Sequence, residues 1–240
     1  MRIRYELKYI IPRELKELIF AYWMQYLMKA PYTDELGQYP ILSQYYDTAD
    51  FLFHSEKLAG IGIRRKVRLR TYGYGFRPHQ VTFLEIKQRV QNDQSIKARK
   101  LIKSFHPKFI DPENWPYNED YEFGRFCALR DYHSLRLSAQ VFYFREAYQG
   151  TLDPDLRITF DSSLIALHPG ENLTRDLLYD QSRTYLPESK VILEIKNNGP
   201  LPDWVHDMIQ QVEIVQEPVP KYVMAVDFLR IIDITRGAYV

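Results

Sequence analysis

The 240-residue chain holds a single cysteine, Cys127, which excludes an internal disulfide and suits a reducing compartment. It has no apolar run approaching the roughly 20 residues of a membrane-spanning helix. It has no Walker-type glycine loop, no nucleophile elbow and no paired-cysteine motif, so the commonest nucleotide-loop, hydrolase and zinc signatures are missing. The histidines, at 54, 79, 106, 133, 168 and 206, are scattered without metal-ligand spacing and read as surface or structural residues. Nor is there a surplus of charge: 32 Lys and Arg stand against 31 Asp and Glu, a net charge of +1. A protein that coats nucleic acid is usually far more basic, so no nucleic-acid partner is expected. The opening MRIRYELKYI enters an alternating pattern at once and lacks a signal-peptide core. These absences predict a soluble, cytoplasmic protein with no transmembrane segment of its own.

Aromatic residues are abundant, led by 19 Tyr and 13 Phe, and they favour strands. The most informative stretch is IRRKVRLRTY at 63–72. Alternate residues place Arg64, Lys66, Arg68, Arg70 and Tyr72 on one face, and Ile63, Arg65, Val67, Leu69 and Thr71 on the other. A helix would scatter the same charges around its axis, so the pattern predicts a strand. Four cations on one face repel one another unless the face is fully solvated or an anion sits opposite.

Other stretches repeat this design. Residues 2–10 set Arg4, Glu6 and Lys8 against Ile3, Tyr5, Leu7 and Tyr9. Residues 80–89 set Glu85, Lys87 and Arg89 against Leu84 and Ile86. Lys97, Arg99 and Lys103 alternate through the segment around 95–102. Strands are also predicted at 41–47, about 136–148, LRITFD at 156–161 and VILEIK at 191–196, where Glu194 and Lys196 oppose Leu193 and Ile195. Amphipathic helices are predicted at 13–29, behind Pro12, and at 203–215, behind Pro202, with further helices at about 120–133 and from Pro220. The TADFLFHSEK segment has room for a short helical turn. Residues 105–118 and 168–189 read as loops. With no linker, low-complexity tract or fixed-period repeat, residues 1–240 read as one domain of about eight strands.

An ordinary sheet accounts for one or two strands with a charged face, but strains when nearly every strand has one. A closed eight-stranded antiparallel β-barrel with flanking α-helices, an α+β fold, fits better. Its charged faces would line a tunnel, and its apolar outside would be covered by the helices. Such a lumen needs water or a polyanion, and arginine forks with lysine point charges suit phosphate. Glu6, Glu85 and Glu194 would either pair with the cations or hold an oxygen-seeking divalent metal such as Mg2+ or Mn2+. Tyr45 and Tyr46 read as core and turn residues.

The motifs RYELKY at 4–9, YYDT at 45–48, KVRLRTY at 66–72, LEIK at 84–87, KAR at 97–99, YFREAY at 143–148, RITFD at 157–161, LEIK at 193–196 and KY at 221–222 occur in one order. In them the chain resembles the polyphosphate polymerase domain of the vacuolar transporter chaperone complex, among the triphosphate tunnel metalloenzymes. The resemblance implies an ATP-dependent, metal-assisted transfer of the γ-phosphoryl of a nucleoside triphosphate to polyphosphate. By the family's motifs, Lys8, Arg68, Arg70, Lys87, Arg145 and Lys221 would be catalytic. Lys97, Arg99, Tyr143, Arg157 and Lys196 would bind phosphate, and Glu194 with Glu6 would hold the metal. The length suggests a stand-alone version. In EPVPKY, Pro218 and Pro220 stand where relatives often carry a lysine and a serine. The alternatives are a triphosphate or polyphosphate hydrolase, or a non-catalytic polyphosphate or inositol-phosphate binder.

Overall fold

The computed structural model describes residues 5–31, 33–78, 80–90, 95–102, 106–115 and 121–235. In chain order these form β1 (Tyr5–Pro12), α1 (Arg13–Trp23), β2 (Leu27–Lys29), β3 (Gln38–Asp47), α2 (Leu52–Leu58), β4 (Arg64–Thr71), β5 (Thr82–Arg89) and β6 (Ser95–Ile102). There follow α3 (Tyr121–His133), β7 (Arg136–Gly150), β8 (Arg157–Leu167), α4 (Arg175–Tyr179), β9 (Lys190–Asn197), α5 (Asp203–Gln211) and α6 (Lys221–Thr235). The pairs β1–β9, β2–β7, β3–β4, β4–β5, β5–β6 and β8–β9 are antiparallel, and the strand order is β1-β9-β8-β7-β3-β4-β5-β6, with β2 also on β7. No described helix is long and apolar enough to cross a membrane.

The chain divides into two compact units. The first comprises Met1–Pro40, Tyr143–Leu164 and Leu186–Pro220, and the second Ile41–Phe142, Ile165–Tyr185 and Lys221–Val240. In the first, the alternation of β1, β8 and β9 buries Tyr9, Ile11, Ile158, Phe160, Leu193 and Ile195 against Ile19 and Trp23 of α1 and Val205 and Met208 of α5. The two predicted amphipathic helices thus cover an apolar sheet face. In the second, Val67, Leu69, Leu84, Ile86 and Ala98 pack with Phe53 of α2 and with Phe123, Phe126 and Cys127 of α3. In each unit the apolar parity is sealed by helices and the opposite parity carries the charges.

The expected closed eight-stranded barrel is corrected: the nine strands follow an open path that ends on β1 and β6. Alternation is the same in an open and a closed sheet, so it could not decide closure. The outer edge of β1 is met instead by the segment before α6, where the Glu217 amide donates to the Lys8 carbonyl at 3.0 Å. Pro218 and Pro220 on that segment have no amide proton and cannot extend the pairing.

Several boundaries also differ: α5 ends at Gln211 and β8 runs on to Leu167. The first helix stops at Trp23, and Leu27–Lys29 becomes a short strand on β7. Leu27 is buried there, and the Tyr26 ring stacks on Trp204 at 4.7 Å. Sheet hydrogen bonds and this stack therefore take the residues that helical spacing had assigned to α1. The 168–189 loop contains α4 and a single-pair bridge from Thr184 to Ile165.

Candidate functional site

Register, which the sequence does not state, sorts the charges into cross-strand rows. In the second unit Lys66 of β4 lies opposite Lys87 of β5, which lies opposite Lys97 of β6. The next row is Arg68, Glu85 and Arg99; the row on the other side pairs Arg64 with Arg89. With Arg70, the described residues of β4, β5 and β6 place eight cations on this face against one carboxylate, Glu85. Like charges directly opposite on a sheet are destabilising. Burial and the neighbouring Arg89 together lower the Arg64 pKa.

Glu85 is the hub of this face. Its carboxylate accepts from Arg68 Nε at 2.6 Å and pairs with Arg99 Nε at 2.9 Å, while Arg70 Nε stands at 4.0 Å. Burial works against its charge, but Arg68, Arg70 and Arg99 outweigh that and hold the carboxyl down at about 2. Each arginine has a second anchor. Arg70 Nε donates to Ser43 at 3.0 Å, Arg68 Nη1 to the Tyr45 hydroxyl at 3.4 Å, and Arg99 Nη2 to the Tyr72 hydroxyl at 3.0 Å. The Arg99 guanidinium also lies 3.6 Å from the centre of the Phe83 ring. The forks of β4 and β6 are therefore held in place on either side of Glu85 on β5. Lys221 opens α6 and acts electrostatically on Tyr45. Arg65, on the opposite face, serves structure: Nη1 pairs with buried Glu56 at 2.7 Å.

The first unit holds a differently balanced cluster. Its rows are Glu6, Lys196 and Arg157, then Lys8, Glu194 and Thr159. Each row mixes the two signs: Glu6 offsets one of the two cations in the first, and Glu194 offsets Lys8 in the second. Buried Glu194 pairs with Lys196 at 2.8 Å and Lys8 at 3.3 Å, with Arg145 at 3.7 Å, and Lys8 also reaches Glu6 at 3.0 Å. Burial opposes the charge on Lys8, but Glu194 and Glu6 prevail and raise its pKa. Lys196 is brought down to about 8 by burial, with Arg145 adding repulsion. Arg145 makes a bidentate pair with Asp161 at 2.6 and 2.7 Å, and its guanidinium lies 5.4 Å from the centre of the Tyr143 ring. Arg157 Nη2 donates to the Tyr39 hydroxyl at 3.2 Å.

The oxygen donors here suit a hard divalent cation. Glu194 and Glu6 are linked through Lys8, and the Thr159 hydroxyl, in register with Glu194, is buried and has no hydrogen-bond partner among the described residues. Among the described residues no three His, Cys, Asp or Glu gather as a metal cage. One or two carboxylates completed by water and phosphate oxygens is the usual magnesium arrangement, so the donors fit an ion that arrives with a phosphate ligand.

Of the residues singled out from the sequence, Arg68, Arg70 and Arg99 meet on Glu85, and Lys87 and Lys97 share a row. Lys8, Arg145, Lys196, Glu6 and Glu194 meet in the first unit, with Arg157 in the Glu6 row and Tyr143 beside Arg145. Sequence reasoning placed Thr159 and Asp161 on one face with Arg157 but gave neither a site role; Asp161 is fully buried. It also read Tyr45 as core; the residue is buried, but its hydroxyl meets Arg68. Arg4 and Lys103 lie outside the described residues.

A family model described as the VTC domain matches residues 3–230. No curated protein matches the chain. Among solved structures, a Bacillus halodurans protein described by inference as an adenylate cyclase is 12% identical, covering 91% of this chain and 94% of its own, with a TM-score of 0.53. A Hippeastrum protein, described by inference as an adenylyl cyclase with a dominant triphosphatase activity, is 12% identical over 91% of both chains, with a TM-score of 0.49.

Proposed function

The chain belongs to the VTC domain family, and from that premise we propose that it is an ATP-dependent polyphosphate polymerase, metal-assisted, that moves the γ-phosphoryl of a nucleoside triphosphate to the end of a polyphosphate chain. The observation that carries this reading is the face of β4, β5 and β6, where rows of like cations lie in register with a single carboxylate among them. Such an arrangement costs stability unless it serves a polyanion.

Phosphoryl transfer asks for positioning and charge stabilisation more than for a covalent nucleophile. A terminal oxygen of the acceptor phosphate forms the new bond to the γ-phosphorus as the bond to the β–γ bridging oxygen breaks, and the nucleoside diphosphate leaves. Both reactants are anions, so cations are needed to bring them together. Arg68, Arg70 and Arg99 present guanidinium forks to phosphate oxygens, and Lys66, Lys87 and Lys97 extend the positive surface along the strands. Lys221 adds charge from the start of α6. In the first unit Lys8, Arg145, Arg157 and Lys196 would grip phosphate, with Tyr143 supporting Arg145. A divalent ion held by Glu194 and Glu6 would withdraw charge from the phosphate oxygens it binds. Lys8 and Lys196 orient Glu194 for that purpose.

Purified protein with ATP and Mn2+ is expected to form acid-insoluble polyphosphate, and Arg70→Ala with an unchanged circular dichroism spectrum is expected not to. Release of free phosphate alone rejects polymerisation in favour of triphosphate hydrolysis. Pro218 and Pro220, in the places of a family cation and hydroxyl, favour this second reading. Equal activity of wild type and Arg70→Ala removes the β4 face from the site.

A further inference from the structure

We infer that the Tyr45 hydroxyl is a phosphate-binding group, donating its proton to a phosphate oxygen held by Arg68 and Arg70; this rests on the reading of the β4–β6 face as a phosphate-chain site.

Tyr45 sits on β3 directly opposite Arg68, with Ser43 opposite Arg70. Its side chain is fixed from several directions. The ring stacks on Tyr222 at 5.0 Å, and Lys66 Nζ lies 5.9 Å from its centre. Its carbonyl accepts from Ser138 Oγ at 2.9 Å, and the Tyr222 hydroxyl donates to Asp47 at 2.6 Å. A phenol locked in this way is preorganised, so it loses little freedom when it binds.

The hydroxyl is only half used. Its oxygen accepts from Arg68 Nη1, and among the described residues no acceptor takes its own proton. The charged groups acting on it are cations: Arg68 and Arg70 of β4 and Lys221 of α6, with Lys66 over the ring. The neighbouring carboxylate, Glu85, is engaged by Arg68 and Arg99. Burial disfavours ionisation of the phenol, yet these cations outweigh it and lower its pKa. A buried proton donor ringed by cations and without an acceptor matches an anion oxygen. Phosphate, which accepts from guanidinium and hydroxyl donors together, has the required chemistry.

The test uses inorganic tripolyphosphate as the probe, with isothermal titration calorimetry on wild type, Tyr45→Phe and Arg70→Ala. Tyr45→Phe keeps the ring and its stack on Tyr222, so folding is preserved. It is expected to bind about tenfold more weakly or worse, the worth of one hydrogen bond to a charged group. Repeating the titrations from pH 7 upward separates contact from mere support of Arg68. A phenolate cannot donate, so wild-type affinity falls as the phenol ionises, and that limb is absent from Tyr45→Phe. Equal affinity of the two proteins overturns the inference, as does a weaker Tyr45→Phe with the same pH dependence. If Arg70→Ala binds as tightly as wild type, the phosphate-site reading itself fails; if Arg70→Ala is weakened while Tyr45→Phe is not, only the role of Tyr45 fails.

Discussion

Replacing Glu85 by glutamine removes the carboxylate that lies among eight cations on the described face of β4, β5 and β6. Its carboxyl is held at about 2, against an ordinary value of 4.5. The side chain is only 15% exposed, so solvent screens little of that interaction. At about 1.4 kcal/mol per pH unit, the charged form stabilises the fold by about 3 kcal/mol. The sign follows from the proton balance. Between pH 4.5 and 2 the unfolded chain takes up a proton at this position while the folded chain does not. The contribution is therefore complete above pH 4.5 and lost as pH falls toward 2. Urea denaturation at 25 °C across this range is expected to show wild type about 3 kcal/mol more stable than Glu85→Gln at pH 7, with the gap closing by about pH 2. Parallel pH profiles, or a gap that persists at pH 2, refute the view that Glu85 is the counter-ion of Arg68, Arg70 and Arg99.

Lys87→Gln relieves like-charge opposition to both Lys66 and Lys97 and should raise stability at low salt by about 0.4–2 kcal/mol, from roughly 0.2–1 per cross-strand pair. The same variant should bind tripolyphosphate more weakly in calorimetry. Asp161→Asn leaves Arg145 buried without its full counter-charge and should cost about 3–5 kcal/mol in urea denaturation. Glu194→Gln should weaken Mn2+ binding in the presence of ATP at least about tenfold, read from the electron paramagnetic resonance of free Mn2+; unchanged binding would place the ion elsewhere.

Much of this was legible in the residues. Alternation in IRRKVRLRTY and in both LEIK motifs fixed which side chains share a face, because a strand has period two whatever it pairs with. The stripes at Ile19 and Trp23, and at Val205 and Met208, marked helices that cover apolar faces, and those four residues are buried. Arg65 was separable from its neighbours by parity alone, and it pairs with Glu56 on the other face.

What the sequence could not supply was partnership between strands. Parity says that Lys66, Lys87 and Lys97 are charged-face residues, but only register lines them up in one row and sets Glu85 between Arg68 and Arg99. The two LEIK motifs are identical as text, yet Glu85 lies among arginines on a like-charged face, while Glu194 lies among rows of mixed sign. Closure escaped the sequence for the same reason. It depends on what meets the outer edge of β1, and there the Glu217 amide of a proline-bearing segment distant in sequence donates to the Lys8 carbonyl. Local physics determined the faces of this protein; long-range pairing, which no local periodicity encodes, decided which charges became neighbours.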